Sequence, residues 1–92
     1  MLLTGKVAVV TGSAIGIGRA IAIALANEGA DVALLDIDAA NNGETARLVR
    51  ATGRRALPLD SDVADKGQVR RANADSAAAI GRIDVLLNNA AV

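Results

Sequence analysis

Hydrophobic positions along the chain alternate between short unbroken apolar runs and longer stretches with helical spacing. The runs at 7–10, 32–35, 56–59 and 83–87 are the length of strands, and apart from Asp84 they are apolar, as in strands that are buried on both faces. Helical stretches separate them. The resulting order β-α-β-α-β-α-β predicts an α/β fold, with a doubly wound parallel sheet covered by helices on both faces.

The first helix is predicted from Arg19 to Glu28, directly after a glycine-rich turn. Ile17, Ile21 and Leu25 recur at helical spacing across it as its apolar face, with Ala20 and Ala24 beside them on a small-residue face. Gly29 follows as the kind of residue that ends a helix, because glycine readily adopts a left-handed conformation.

The second helix is predicted to start at Asp38 and to run to about Thr52. Asp38 is a good N-cap, since its carboxylate can accept a hydrogen bond from a backbone N–H of the first turn. Asn41, Asn42 and Gly43 have poor helix propensity, so the position of the first turn is open.

A third helix is predicted to begin at Asp62 or Asp65 and to end at Gly81. The strand before it contains Pro58, and a proline suits an edge strand because it cannot donate to a ladder on both sides. With that strand at one edge, the strand order is 3-2-1-4. The fourth strand then forms the other edge of what is present, and its residues 85–87 are apolar, which leaves an edge open to pairing.

The composition removes several classes of chemistry. The chain has no His, Cys, Phe, Tyr or Trp, which rules out a disulfide framework, a thiol nucleophile, a Cys-rich zinc site and an imidazole base. Ten Lys and Arg balance ten Asp and Glu, so no global basic field attracts nucleic acid or anionic lipid. No apolar run approaches the length of a membrane span. We therefore expect a soluble cytoplasmic protein with no metal, nucleic-acid or membrane partner.

The most informative feature is the turn after the first strand, which contains Gly12, Gly16 and Gly18. Glycines there allow the chain to reverse and allow a phosphate to approach the backbone N–H groups at the start of a helix. The spacing G-x-x-x-G-x-G differs from G-x-G-x-x-G and from a Walker A loop. A tight turn that needs glycine for its geometry alone is the alternative. The strand, turn and helix context favours nucleotide binding.

An acidic residue follows where such a site needs one. Asp36 lies 18 residues after Gly18, at the carboxyl end of the second strand. A carboxylate there can accept hydrogen bonds from both ribose hydroxyls of an adenosine, and its charge would repel a 2′-phosphate. Asp36 therefore favours NAD over NADP. A solvated acid that caps the next helix is the alternative interpretation, although Asp38 can fill that role.

Three motifs together resemble the short-chain dehydrogenase/reductase family. Residues 11–18, TGSAIGIG, resemble its T-G-x-x-x-G-x-G cofactor motif, and Asp62-Val63 looks like its acidic position after the third strand. Residues 88–91, NNAA, are similar to its N-N-A-G motif, with Ala91 in place of glycine. The resemblance extends from about Gly5 to Val92, and it implies a Rossmann-type sheet that binds a nicotinamide dinucleotide.

The resemblance also assigns cofactor-binding roles to twelve positions in four groups. They are Gly12, Ser13, Ile15, Gly16, Ile17 and Gly18 at the pyrophosphate, Asp36 at the adenosine ribose, Asp62 and Val63 beside the adenine, and Asn88, Ala90 and Ala91 along the adenosine and pyrophosphate side. Asn89 reads better as support for the central sheet, near Thr11. A helix N-cap is the alternative role for Asp62.

Catalytic residues do not transfer to this sequence. The family's chemistry is hydride transfer between nicotinamide and an alcohol or carbonyl carbon, with a Tyr-x-x-x-Lys pair, a Ser and an Asn that lie beyond the Asn-rich motif. This sequence contains no Tyr, and its two lysines, Lys6 and Lys66, lie elsewhere. We therefore assign no catalytic residue. We expect residues 1–92 to be the NAD(P)-binding N-terminal half of such an oxidoreductase, inactive alone and homo-oligomeric at full length.

Two other hypotheses stay open at the level of sequence. One is a stand-alone nucleotide-binding or interaction module without catalysis, which associates through the open edge of the fourth strand. The other is a flavodoxin-like or other doubly wound domain whose glycines serve only the turn. The motif at 88–91 disfavours the second of these.

Overall fold

A computed structural model describes residues 2–60 and 83–88 of the chain. The elements in these ranges are β1 (Val7–Thr11), α1 (Gly16–Asn27), β2 (Asp31–Asp36), α2 (Ala39–Arg50), β3 (Ala56–Asp60) and β4 (Val85–Asn88). The predicted third helix and the residues after Asn88 lie outside the described part of the chain. None of the helices in the described ranges is long and apolar enough to cross a membrane.

The four strands form one parallel sheet in the order β3-β2-β1-β4, which confirms the predicted α/β fold and its 3-2-1-4 order. β1 lies inside the sheet, where Val10 is in register with Leu34 of β2 and with Leu87 of β4. Because all strands run in the same direction, their carboxyl ends lie at one edge of the sheet. That edge carries Thr11, Asp36 and Asn88 as the last strand residues.

Pro58 occupies a position where β3 has no need of a backbone donor. The N–H of Val32 donates to the carbonyl of Arg55 at 3.0 Å, so the N–H and C=O groups of the even-numbered residues of β2 face β3. In a parallel ladder these groups bond to the odd-numbered residues of β3, such as Leu57 and Leu59. The backbone nitrogen of Pro58 therefore faces away from β2. A proline therefore fits this edge without the loss of a ladder hydrogen bond.

The face with which α1 packs differs from the expected one. Gly18, Ala22 and Ala26 are its buried residues, whereas Ile17 is exposed and Ile21 and Leu25 are only partly buried. Small side chains allow the helix axis to approach the sheet closely, and this favours a face of glycine and alanine over one of branched residues. The helix also starts at Gly16 rather than Arg19, so two of the three glycines lie in its first turn.

The core is divided between the two faces of the sheet. On the face covered by α1 and α2, Val10, Leu34 and Val49 belong to one buried cluster. Val9 and Leu35 belong to a second cluster on the opposite face. This arrangement explains why the strands read as continuous apolar runs, since alternate residues enter different cores.

An ion-paired cluster fixes the amino end of β2. The carboxylate of Asp31 accepts hydrogen bonds from the backbone N–H of Arg55 at 3.0 Å, from Arg55 Nε at 3.1 Å and from Arg54 Nη2 at 3.1 Å. Burial alone would raise the pKa of Asp31, but the Arg55 backbone and the two guanidinium groups together hold that pKa below its usual range. The carboxylate therefore ties the start of β2 to the start of β3.

We predict that Asp31→Asn lowers the free energy of unfolding by about 1–2 kcal/mol at neutral pH, because both ion pairs and one acceptor are lost. A carboxyl group with a lowered folded pKa stabilises the fold above its unfolded pKa of about 4 and loses that effect as the pH falls through the folded value. The difference between variant and wild type in urea unfolding should therefore shrink as the pH is lowered below about 4.

Glu44→Gln is the matched control. Glu44 also pairs with an arginine, Arg47, but the side chains are 43% and 65% exposed on the surface of α2. Solvent and salt screen such a pair, so the unfolding curve of this variant should overlay that of the wild type. Equal effects of the two substitutions would contradict the structural role given to Asp31.

Candidate functional site

The turn between β1 and α1 is built on two glycines with left-handed backbone conformations. Gly12 has φ +67° and Gly16 has φ +60°, values that residues with a Cβ rarely adopt. The N–H of Gly12 donates to the carbonyl of Leu35 at 2.8 Å, which fixes the turn to the end of β2. A Cβ added to Gly16 would meet nothing within 4 Å, so its conformation, and not crowding, requires glycine there.

The N-terminus of α1 offers hydrogen-bond donors to an external acceptor. Its N-cap is Ile15, which has an extended backbone and no side-chain group with which to cap the helix. The first turn of α1 also contains no acidic residue. The first N–H groups of a helix lack acceptors within the helix, and the helix dipole places partial positive charge there. This end of α1 therefore suits an anion such as a pyrophosphate.

Asp36 lies directly beside this turn. Its Oδ2 accepts from the backbone N–H of Ala14 at 3.0 Å, and its Oδ1 accepts from the backbone N–H of Asp38 at 2.9 Å. An ionised carboxylate has about four acceptor positions, so two remain for further donors. The carboxylate is thus oriented by the chain and retains the capacity to bind a pair of hydroxyl groups.

Asp38, not Asp36, is the N-cap of α2. Its carboxylate accepts from the backbone N–H of Asn41 at 3.2 Å and from Asn41 Nδ2 at 2.8 Å. The side-chain hydrogen bond and then the backbone hydrogen bond of Asn41 lower the pKa of Asp38 from its usual value. Since α2 has its own cap, the alternative role of Asp36 as a helix cap is not needed.

The side chain of Ser13 points into the protein, away from solvent. Ser13 is 0% exposed, and its Oγ donates to Oδ1 of Asn42 at 2.6 Å. Nδ2 of Asn42, which is 1% exposed, donates in turn to the carbonyl of Leu34 at 2.8 Å. The Ser13 side chain is therefore engaged within the protein, and the role assigned to Ser13 at the pyrophosphate stays a prediction for its backbone.

Thr45 binds the main chain of the same turn. Its Oγ1 lies 2.8 Å from the carbonyl oxygen of Ser13 and 3.1 Å from that of Ala14, and it is fully buried. Arg19 donates from Nε to Thr45 Oγ1 at 2.9 Å and from Nη2 to the carbonyl of Asn41 at 3.0 Å. One face of α2 is thus hydrogen-bonded to the glycine turn through buried side chains.

Sequence analysis missed the contribution of Asn42 and Thr45, because it treated the polar start of this helix only as a weakness in propensity. The available signal was their spacing. Asn42, Thr45 and Val49 lie at positions i, i+3 and i+7, which is the buried stripe of α2. Polar residues on the buried stripe of a helix need hydrogen-bond partners, and here the partners are groups of the turn and of β2.

Exposed apolar side chains flank the turn and Asp36. Ile15, Ile17 and Ile37 are all more than half exposed, and they are three of the five large hydrophobic residues that are exposed in the described ranges. Ile37 lies between the two aspartates that end β2 and cap α2. Apolar surface that gathers around a set of polar groups is typical of a ligand-binding site.

The remaining predicted site residues fall into two groups. Gly18 is buried on the sheet-facing side of α1, and Asn88 ends β4 in register with Thr11. Asp62, Val63, Ala90 and Ala91 lie outside the described residues, as does Asn89. Within residues 2–60 and 83–88, His, Cys, Asp and Glu do not form any group of three or more that could hold a metal ion.

The parallel sheet in the order 3-2-1-4, with a glycine turn and an acidic strand end at one edge, defines a Rossmann-type α/β protein. The family model described as short chain dehydrogenase matches residues 6–92. The chain belongs to the short-chain dehydrogenase/reductase family, as its motifs indicated.

Three similar proteins illustrate the relationship. A short chain dehydrogenase from Mycobacterium paratuberculosis, solved bound to NAD, superposes with a TM-score of 0.94 at 37% identity, over 100% of this chain and 39% of that one. A sorbitol dehydrogenase of Cereibacter sphaeroides is 46% identical over 100% of this chain and 35% of its own length. An uncharacterised NAD-dependent oxidoreductase of Mycobacterium tuberculosis is 41% identical over 98% of this chain and 38% of its own length.

These relatives are much longer than the sequence described. The chain spans between 31% and 38% of the length of the first curated relatives that it matches. What it shares with them is therefore one part of a larger protein of this family.

Two glycine substitutions with opposite expected effects test the geometry of the turn. Gly16→Ala should lower the free energy of unfolding by about 1 kcal/mol, because alanine is strained at a positive φ even where there is space for its methyl group. Gly43→Ala should raise it by about 0.5–1 kcal/mol, because Gly43 lies exposed within α2 and alanine has the better helix propensity.

Urea unfolding monitored by circular dichroism measures both changes. The pair is matched, since each substitution adds one methyl group in open space. A stabilising effect at Gly16 would contradict the left-handed conformation on which the turn depends.

Proposed function

We propose that this chain is the NAD-binding portion of an oxidoreductase that transfers hydride between nicotinamide and an alcohol or carbonyl substrate. One observation carries the proposal. The carboxylate of Asp36 is hydrogen-bonded to Ala14 in the glycine turn, so a ribose-binding acid and an uncapped helix N-terminus lie side by side. The two groups match the ribose and the pyrophosphate of one dinucleotide.

The pyrophosphate would bind at the start of α1. Its negative charge complements the dipole of the helix, and its oxygens accept from N–H groups that the helix itself leaves without acceptors. The open space beside Gly16 would allow phosphate oxygens to approach the backbone. The fit depends on main-chain groups, which is why the turn can be rich in glycine and isoleucine.

The adenosine would bind at the end of β2. Asp36 would accept from the two ribose hydroxyls with the acceptor positions that Ala14 and Asp38 leave unused. The exposed side chain of Ile37 follows directly in the chain and would pack against the adenine ring. Burial of that side chain by a ring removes apolar surface from water and favours binding.

Charge at this edge favours NAD over NADP. Asp36 and Asp38 both place carboxylates near the end of β2, where a 2′-phosphate would lie. Arg19 is the cation nearest to the turn in sequence, and its guanidinium is directed at Thr45 and at the carbonyl of Asn41. A ribose with free hydroxyls avoids the repulsion that a phosphate would meet there.

The redox chemistry is proposed for the whole protein of which these residues form a part. Bound nicotinamide dinucleotide supplies or accepts the hydride. Among these 92 residues there is no Tyr, and the family's catalytic acid/base is a Tyr, so we propose that residues 1–92 bind cofactor without catalysis by themselves. The small alcohol or ketone substrate, the homo-oligomeric state and the cytoplasmic location stay predictions.

Calorimetric titration of the purified protein with NAD and with NADP tests the cofactor assignment. The wild type should bind NAD more tightly. Asp36→Asn should lower the ratio of NAD affinity to NADP affinity at least about tenfold, which corresponds to about 1.4 kcal/mol. The reason is twofold, since the variant loses an acceptor for ribose hydroxyls and the charge that repels a 2′-phosphate.

Asp38→Asn provides a control of equal net charge. Asparagine retains the ability to cap α2, and the substitution removes one negative charge two residues from Asp36. The affinity ratio should change much less than in Asp36→Asn. If both variants change the ratio equally, the preference reflects general charge and the ribose role of Asp36 is wrong.

A separate assay tests the proposed lack of catalysis. The protein is mixed with NAD and a panel of primary and secondary alcohols, and the absorbance of NADH is followed over time. No increase above the protein-free rate is expected. Turnover by these 92 residues alone would show that an acid/base other than Tyr acts in the chain.

A further inference from the structure

Three buried polar side chains meet beneath the glycine turn. Ser13, Asn42 and Thr45 are between 0% and 1% exposed, although none belongs to a residue type that is commonly found fully buried. Their polar atoms are all engaged with one another or with the backbone of the turn and of β2. A buried network of this kind is stabilising only when complete, and it then specifies one conformation.

Thr45 determines which way two peptide groups of the turn face. Every described peptide bond is trans, so the carbonyl of one residue and the N–H of the next point in opposite directions. The carbonyls of Ser13 and Ala14 both point at Thr45 Oγ1. The N–H of Ala14 therefore points away from α2 towards Asp36, which it contacts at 3.0 Å. By the same geometry the N–H of Ile15 points away from α2.

Arg19 makes the Thr45 hydroxyl an acceptor on one side, which leaves its proton to be donated on the other. Its guanidinium is only a donor, so the Arg19 Nε–H bond to Thr45 Oγ1 uses an oxygen lone pair. The hydroxyl proton is thus left for a carbonyl oxygen, and those of Ser13 at 2.8 Å and Ala14 at 3.1 Å lie closer to Thr45 Oγ1 than that of Asn41 at 3.3 Å. Asn42 completes the arrangement, because it holds the Ser13 hydroxyl with Oδ1 and binds the carbonyl of Leu34 in β2 with Nδ2.

We propose that Asn42 and Thr45 are positioning residues that set the affinity of the turn for the pyrophosphate of the cofactor, through the direction of its peptide N–H groups. The inference rests on the proposed dinucleotide binding. Neither side chain touches the cofactor, and each acts through Ser13 and Ala14. Asp36 shares the N–H of Ala14 but keeps a second anchor in the N–H of Asp38, so the adenosine end depends less on these two side chains.

Thr45→Val is the main test, because valine keeps the shape of the buried side chain and removes the hydroxyl. The probes are NAD by calorimetry and adenosine, which lacks the pyrophosphate, by NMR titration. We expect the affinity for NAD to fall about tenfold and that for adenosine to change less than about twofold. Asn42→Ala should likewise lose affinity for NAD and keep its affinity for adenosine. This variant provides the test if Thr45→Val does not fold.

Two further variants separate positioning from stability. Thr45→Ser keeps the hydroxyl but loses a buried methyl group, so it should be less stable yet retain the NAD affinity of the wild type. Thr52→Val is the matched control for the valine substitution. Thr52 Oγ1 donates to the carbonyl of Val49 at 2.7 Å at the other end of α2, so this variant should bind both probes as the wild type does.

The outcomes are distinct. A selective loss of NAD affinity in Thr45→Val that Thr45→Ser restores supports the inference. Equal losses for NAD and adenosine, wild-type binding by Thr45→Val, or equal losses in the serine and valine variants would each overturn it. If the wild type itself fails to bind NAD, the proposed function is wrong and the inference is wrong with it.

Discussion

The constraint on which the structure depends is the position of β1 between two parallel neighbours. All five residues of β1 are buried, and its backbone is paired with β2 on one side and β4 on the other. A parallel neighbour cannot be reached by a hairpin, so the chain must leave β1 at the sheet edge and return along one face. Gly12 and Gly16 make that reversal possible within a few residues, and the reversal leaves the start of α1 at the carboxyl edge of the sheet.

A reversal this tight creates a hydrogen-bonding requirement that α2 meets. The carbonyls of Ser13 and Ala14 are turned towards the protein, where water does not compete for them, and buried carbonyls need donors. The single hydroxyl proton of Thr45 lies within reach of both carbonyl oxygens, and Oδ1 of Asn42 accepts from the Ser13 hydroxyl. The helix that follows β2 therefore also shapes the glycine turn, and both ends of the proposed site are set by the β2–α2 unit.

Local patterns predicted the strands, their order and the Asp38 cap, because each depends on residues close in sequence or on the general rules of parallel sheets. The buried face of α1 was predicted wrongly. A prediction from helical periodicity favours the face with the larger apolar side chains. Gly18, Ala22 and Ala26 are buried instead, because small residues allow the helix to lie close to the sheet. The roles of Asn42 and Thr45 depend on groups about 30 residues away, which helix propensity does not report.

Several features that cost stability lie around the glycine turn. The carboxylates of Asp31 and Asp38 are matched by donors, although the buried Nε of Arg54 has no hydrogen-bond partner. Around the turn, α1 starts without a side-chain cap, and Ile15 and Ile17 are exposed beside it. Each feature costs stability in the protein alone, since donors lack acceptors and apolar surface meets water. A bound anion would accept from the free N–H groups, and an adjoining ring would cover the exposed isoleucines. The same edge is therefore the part of the molecule best suited to a dinucleotide.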